Sequence, residues 1–260
     1  MWENREKEWG RHRQYNLYQS AKDLKEGRRP ATTIMKYGQI TGSKKVNYAI
    51  YQCLAHLCEE DQQRFVKKFR EQPHDSDQRV HTFRELILGA YLSSRGFRVK
   101  HEYSVEGKTP DWCILDNSSM VAGIAELVNF HIDAVTESEI AKQIQAKSIA
   151  VYWQDENKNN TERLYSCIWD KTQKYRSLIE KLRISYIVGI FLDFRVVLDI
   201  EELHACLYPN DTGLFQRYRH VSGVLYFEEN AGQYLFKYEQ NPKAPQVIAI
   251  PNGVFSLVPE

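Results

Sequence analysis

Two carboxylates in this chain stand where they can act together. Asn117, Ser118, Ser119 and Met120 form a four-residue loop between two strand-like runs, Thr109 to Asp116 and Val121 to Phe130. Closing that hairpin sets Asp116 opposite Val121 and, counting back, Asp111 opposite Glu126. Directly opposed residues share one face of a sheet, with Cβ atoms ~5 Å apart. Carboxylates that close, among Trp, Cys, Ile, Leu, Val and Ala, repel each other. A raised pKa on one of them relieves the repulsion, and so does a divalent cation between them. Oxygen-only ligands suit a hard ion such as Mg²⁺ or Mn²⁺. The pairing depends on the loop, because a slip of one residue would send the two to opposite faces.

A third acid, Glu85, lies on a helix that the pattern places from Gln78 to Arg95, with Gly96 as its C′ residue. Val80, Phe83, Ile87, Ala90 and Tyr91 make one apolar face, and Leu88 and Leu92 a second. A helix apolar on both sides is packed on both sides. Glu85 falls with Leu88 and Leu92, so it is a partly buried carboxylate that needs a partner, a metal or a proton.

The elements that carry these residues follow one another in a clear order. Phe97 to Val105 reads as a first strand, ahead of the two hairpin strands. Residues 131–166 read as irregular to helical, with Asp155 to Thr161 a mobile polar loop. A second helix runs from Cys167 to Leu182, with Ile168, Tyr175, Leu178, Ile179 and Leu182 on one face. Ile184 to Leu192 is a continuously apolar strand, as expected at the buried centre of a sheet. Helix, three strands, helix and strand make an α/β or α+β core with a mixed sheet.

This ordered set resembles the PD-(D/E)XK nuclease superfamily over roughly residues 78–195: a helix glutamate (Glu85), then Thr109-Pro110-Asp111, then Glu126 in the next strand. The resemblance implies the αβββαβ restriction-endonuclease-like core and a metal-dependent endonuclease acting on DNA. It implies that Asp111, Glu126 and the backbone carbonyl of Leu127 bind Mg²⁺ (or Mn²⁺), with Glu85 assisting. The bound ion would polarise a scissile phosphate and activate a water. Where the family's motif has lysine, two residues after Glu126, this chain has Val128. In some similar proteins that lysine moves to the following helix, and Asp170-Lys171-x-x-Lys174-Tyr175 offers candidates here. Lys171 falls within the apolar stripe that faces the sheet, and Lys174 lies farther round towards solvent. Lys171 is therefore the expected fourth catalytic residue, although a lysine in that stripe can also snorkel without a catalytic role. Lys142 and Lys147 are further candidates. The alternative is a nuclease-fold module that binds nucleic acid or protein without catalysis. A third reading has Asp111 and Glu126 sharing a proton or pairing with Arg98 or Lys100.

The remaining features narrow the field. Thirty-five Lys and Arg against 34 Asp and Glu give a net charge of +1, which excludes binding by bulk attraction but not a local basic groove. Arg64, Lys67, Lys68 and Arg70 read as a solvated helix face. The cysteines (Cys53, Cys58, Cys113, Cys167 and Cys206) lack the paired spacing of a structural zinc site and read as buried thiols. His131 and Asp133 read as a hydrogen-bonded loop pair, and Trp112 as core. Trp153, Tyr152 and Trp169 are available to stack on bases. No Walker, Rossmann, zinc-protease or Gly-x-Ser-x-Gly pattern occurs. The apolar run Ile184 to Leu192 falls well short of the ~20 residues of a membrane span. No apolar leader opens the chain, so a cytoplasmic protein with no membrane contact is expected.

The chain thus reads as three parts. Residues 1–75 are a helical extension, 76–200 the core, and 201–260 accessory strands, including Val221 to Phe227, Gln233 to Tyr238 and an edge strand within Gln246 to Leu257. The flanking parts would guide DNA or contacts in a homodimer.

Overall fold

In the computed structural model, residues 36–72, 76–130, 142, 160–193, 200–209 and 212–257 are described. In chain order the elements are α1 (Lys44–Leu54), α2 (Glu59–Glu71), α3 (Ser76–Ser94), β1 (Arg98–His101), β2 (Trp112–Leu115), β3 (Val121–Phe130), α4 (Asn160–Leu182), β4 (Ser185–Leu192), α5 (Ile200–Leu207), α6 (Leu214–Arg217), β5 (Gly223–Asn230), β6 (Gln233–Gln240) and β7 (Gly253–Ser256).

The strands form one mixed seven-stranded sheet in the order β1 to β7. Strands β1 to β3 are antiparallel, β3 to β5 parallel, and β5 to β7 antiparallel again. Parallel neighbours need a crossover, and α4 lies between β3 and β4 in the chain. Every residue of β4 is buried, as its unbroken apolar sequence requires. The tail strands therefore extend the central sheet itself. Ala231 and Gly232, both with positive φ, make the tight turn between β5 and β6.

Side chains alternate between two cores. Trp112, Ile114, Ala125, Leu127, Ile187 and Phe227 pack with α3, which is backed by α1 and α2. Cys113, Ile124, Val128, Tyr186, Val188 and Ile190 pack with α4, α5 and α6. Helix α3 sits close on the sheet because it has a glycine there: a Cβ on Gly89 would lie 1.9 Å from the Trp112 ring. Its end is a Schellman motif. Phe97 N–H bonds Leu92 O, Gly96 N–H bonds Ser93 O, and Gly96 takes φ +88°.

Three expectations need correction. The first strand stops at His101 because Glu102 adopts a left-handed φ of 48°. The second is also shorter and leaves Asp111 just ahead of it. At the hairpin, Val121 pairs with Leu115, not Asp116, whose carboxylate instead accepts the N–H groups of Ser118 and Met120. An irregularity between Ile114 and Leu115 absorbs the difference, and from Ile114↔Gly123 to Trp112↔Ala125 the expected register holds.

The basic cluster on α2 is not simply solvated. Arg64 donates to His101 O at 2.8 Å, Arg70 to Tyr37 O at 2.6 Å, and Lys68 pairs with acids inside the fold. Cys53, Cys113 and Cys206 are buried free thiols as expected, but Cys167 is half-buried and Cys58 exposed. Trp169 lies against Tyr218, ring centroids 4.2 Å apart. His131, Asp133, Lys147, Tyr152, Trp153 and the expected loop up to residue 159 lie outside the described residues; Asn160 and Thr161 open α4. No helix among the described residues is long and apolar enough to cross a membrane.

Candidate active site

The β2–β3 register decides the first relationship. Trp112 pairs with Ala125, so Asp111 and Glu126 fall opposite each other one step farther along, on the α4 side of the sheet. They are cross-linked through the backbone. Asp111 N–H donates to Glu126 Oε1 at 2.8 Å, and Leu127 N–H donates to Asp111 Oδ2 at 2.7 Å. Helix α4 brings Lys171 to the same point, with Nζ 3.2 Å from Glu126 Oε2 and 3.9 Å from Asp111 Oδ2. Lys174 Nζ follows at 4.0 Å from Glu126 Oε2. Tyr175, one residue on, donates to Thr109 O at 3.1 Å and ties the segment before Asp111 to α4. Arg98 and Lys100 do not reach the pair. Arg98 binds the hairpin loop, and Lys100 pairs with Glu60.

The electrostatics follow from burial. The Glu126 side chain has no exposure and that of Asp111 only 19%. Desolvation, and then the Glu126 charge, push the Asp111 carboxyl up to about 6, against the pull of Lys171. Burial disfavours the Lys171 ammonium, but Asp111 and Glu126 outweigh it and raise its pKa. Lys171 thus faces both carboxylates, and the more exposed Lys174 reaches Glu126 from farther out.

The place open to a cation is beside Asp111. Asp111 Oδ1 has no hydrogen-bond partner among the described residues, while its other oxygen is held in place by Leu127. A strand residue directs its N–H and C=O to the same side. The Leu127 carbonyl therefore points past the end of β2, beside Asp111. No group of three or more His, Cys, Asp or Glu able to hold a metal occurs among the described residues. A small hard ion does not need one, since Mg²⁺ commonly takes one or two carboxylates and fills its shell with water and substrate phosphate.

Glu85 is recruited elsewhere. It sits on α3, where its carboxylate meets His81 Nε2 at 2.9 Å and Lys68 Nζ at 3.2 Å, with His101 Nε2 at 3.5 Å. Burial works against its charge, but the His101 and His81 rings and the Lys68 ammonium hold it well below the usual carboxylate range. Its negative charge still reaches the main site, where it adds to the upward push on Asp111. The remaining partners are Arg84 and Asn129. Arg84 donates to Asn129 Oδ1 at 3.3 Å, which turns Asn129 Nδ2 towards His81 Nδ1.

A cavity of about 410 Å³ separates these two groups. His81 and Asn129 line one side, Cys167, Asp170, Lys171 and Lys174 the other, and Leu127 and Val128 lie between them. Sequence reasoning brought Asp111, Glu126 and Lys171 together, and the structure does so too. It missed His81, although His81 and Glu85 are four apart on one helix face, and it missed Asn129, the one polar residue of β3 after Glu126. Lys142 is exposed.

The fold and site thus define a mixed α/β protein with a lysine-bridged carboxylate pair beside a cavity. Compared with protein-family models, curated proteins and solved structures, the chain matches none.

Proposed function

We propose that this chain is a divergent metal-dependent endonuclease of the PD-(D/E)XK type, built on a restriction-endonuclease-like core and hydrolysing phosphodiester bonds in DNA. The observation that carries the reading is the convergence of Lys171 on Asp111 and Glu126 at the edge of a cavity. An ion pair made only for stability gains little by facing a cleft. The strand order from β1 to β4, with α3 on one face and α4 on the other, agrees with that core.

Asp111, Glu126 and the Leu127 carbonyl would hold Mg²⁺ or Mn²⁺, which supplies polarisation of the scissile phosphate and a lowered pKa for the attacking water. Lys171 supplies the positive charge that the family's motif places two residues after Glu126, where Val128 stands here. Delivered from α4, that charge offsets the negative charge that grows on the phosphate oxygens as the bond breaks. Tyr175 keeps Asp111 against α4 through Thr109, so carboxylate and ammonium stay in register. Glu85 acts at a distance, by orienting His81 and by the field it adds to Asp111.

The test is cleavage of supercoiled plasmid and single-stranded DNA with Mg²⁺, Mn²⁺ or EDTA, beside Asp111→Ala and Lys171→Ala. Metal-dependent nicking that both variants lose supports the reading. No cleavage, with DNA still retained in a gel shift, replaces it with a binding module lacking catalysis. That second reading draws on Glu126, whose two oxygens are already occupied by Asp111 N–H and Lys171.

A further inference from the structure

The cavity beside the carboxylate pair has a composition that an empty cleft does not need. One side carries the Lys171 and Lys174 ammonium groups beside the Asp170 carboxylate, and Lys174, with 55% of its side chain exposed, stands at the mouth. The facing side is the His81 ring and the Asn129 amide, both fixed by partners behind them. Between them Leu127, Val128 and Cys167 leave an apolar surface. Cations for a phosphate, an apolar surface for a flat ring and a polar wall for its edge describe a nucleotide. The volume of about 410 Å³ lies near the lower end of the ~300–1,000 Å³ usual for small-ligand pockets. It is large enough for one nucleotide.

We infer that this cavity binds a single unstacked nucleotide next to the scissile phosphate, which makes single-stranded or frayed nucleic acid the substrate class. The inference rests on the nuclease reading for its substrate, but the binding stands on the cavity alone. Val128 gains a reason from it. A lysine on β3 at that position would project from the same face as Glu126 into the space the nucleotide needs, so moving the charge to α4 opens the pocket. A base held there has left its stack, a cost that is smallest in strands already unpaired. Stacking and edge contacts recover part of it.

Cys167 reports occupancy without any need for turnover. Its alkylation by iodoacetamide is followed by peptide mass spectrometry in the intact chain, with the exposed Cys58, the N-cap of α2, as internal control. Thymidine 5′-monophosphate and a short single-stranded oligonucleotide should each slow Cys167 labelling about tenfold when saturating, leaving Cys58 unchanged. Inorganic phosphate and blunt duplex should not. Lys174→Gln should weaken the protection, and Val128→Lys should abolish it. Absence of protection by either nucleotide probe, or equal protection by inorganic phosphate, overturns the inference. Cleavage that needs Asp111 without Cys167 protection leaves the nuclease reading standing and removes only the pocket. Protection without any cleavage does the reverse.

Discussion

Lys171 Nζ lies 3.2 Å from Glu126 Oε2, and the Glu126 side chain has no solvent exposure. A carboxylate without water depends on its partners for its charge. Glu126 is hydrogen-bonded by the Asp111 N–H on one oxygen and by Lys171 on the other, with Lys174 4.0 Å away. Removing one partner of such a pair costs more than removing both, because the survivor is left buried and charged. Lys171→Met should therefore lower stability by about 2 kcal/mol, a figure reduced for the partial exposure of the lysine. Adding Glu126→Gln should restore most of that loss. Urea titrations of the two single variants and the double variant close the cycle, and simple additivity would show that the pair is not coupled.

Asp111 makes the opposite contribution. Its folded pKa is raised from 3.8 to about 6, so the folded state holds the proton more tightly than the unfolded chain. The native state is favoured below the unfolded value, and that advantage is lost as pH rises to about 6. At neutral pH the ionised group thus costs on the order of 2 kcal/mol. Asp111→Asn keeps an acceptor for Leu127 N–H and removes the charge. It should melt a few degrees above the wild type at pH 7.5, with the gain disappearing near pH 4. Mg²⁺ should raise the wild-type melting temperature at pH 7.5 and leave that of the variant unchanged.

Glu85 carries the reverse sign. Its folded pKa is depressed below 4.5, so its contribution is present above that value and is lost as pH falls below it. Glu85→Gln should cost about 1–3 kcal/mol at pH 7, since Lys68 and His81 lose a charged partner. The same variant should show a flatter acid limb below pH 4.5 in a thermal-melt series. An acid limb identical to the wild type would mean that the Lys68–Glu85–His81 group adds nothing to stability.

Gly89 sets the distance between α3 and the sheet. A methyl group there would sit 1.9 Å from Trp112 Cζ2, and the ring cannot retreat because it is fully buried and its Nε1 donates to Glu85 O at 2.9 Å. Overpacking of this kind costs about 1–3 kcal/mol and sometimes more. Gly89→Ala should fall at or above the top of that range. Because Trp112 directly follows Asp111, the variant should also reduce the proposed cleavage more than the lost stability explains. Far-UV melts and cleavage rates on the folded fraction separate the two effects.

By itself the sequence determined what depends on local periodicity. Most of the apolar positions of α3 and α4, the buried β4 and the existence of the β2–β3 hairpin were legible because burial repeats with the period of each element, whereas the length of the hairpin connection was not. The opposition of Asp111 and Glu126 followed too, since beyond the irregularity at Ile114 and Leu115 the ladder keeps the expected register. The placement of Lys171 within the inward stripe of α4 came from the same helical arithmetic.

Only the tertiary structure decided where Glu85 pairs and what faces Lys171 across the cleft. Lys68 is on α2 and Glu85 on α3, and the angle at which two helices meet is not written in either helix's periodicity. His81 on α3, Val128 and Asn129 on β3, and Lys171 on α4 likewise become one cavity only when α3 and α4 close on opposite faces of the same sheet. The pairing of β5 beside β4, which extends the sheet to seven strands, was equally out of reach. Contacts between segments far apart in the chain leave no local pattern, because their geometry is set by the packing of whole layers.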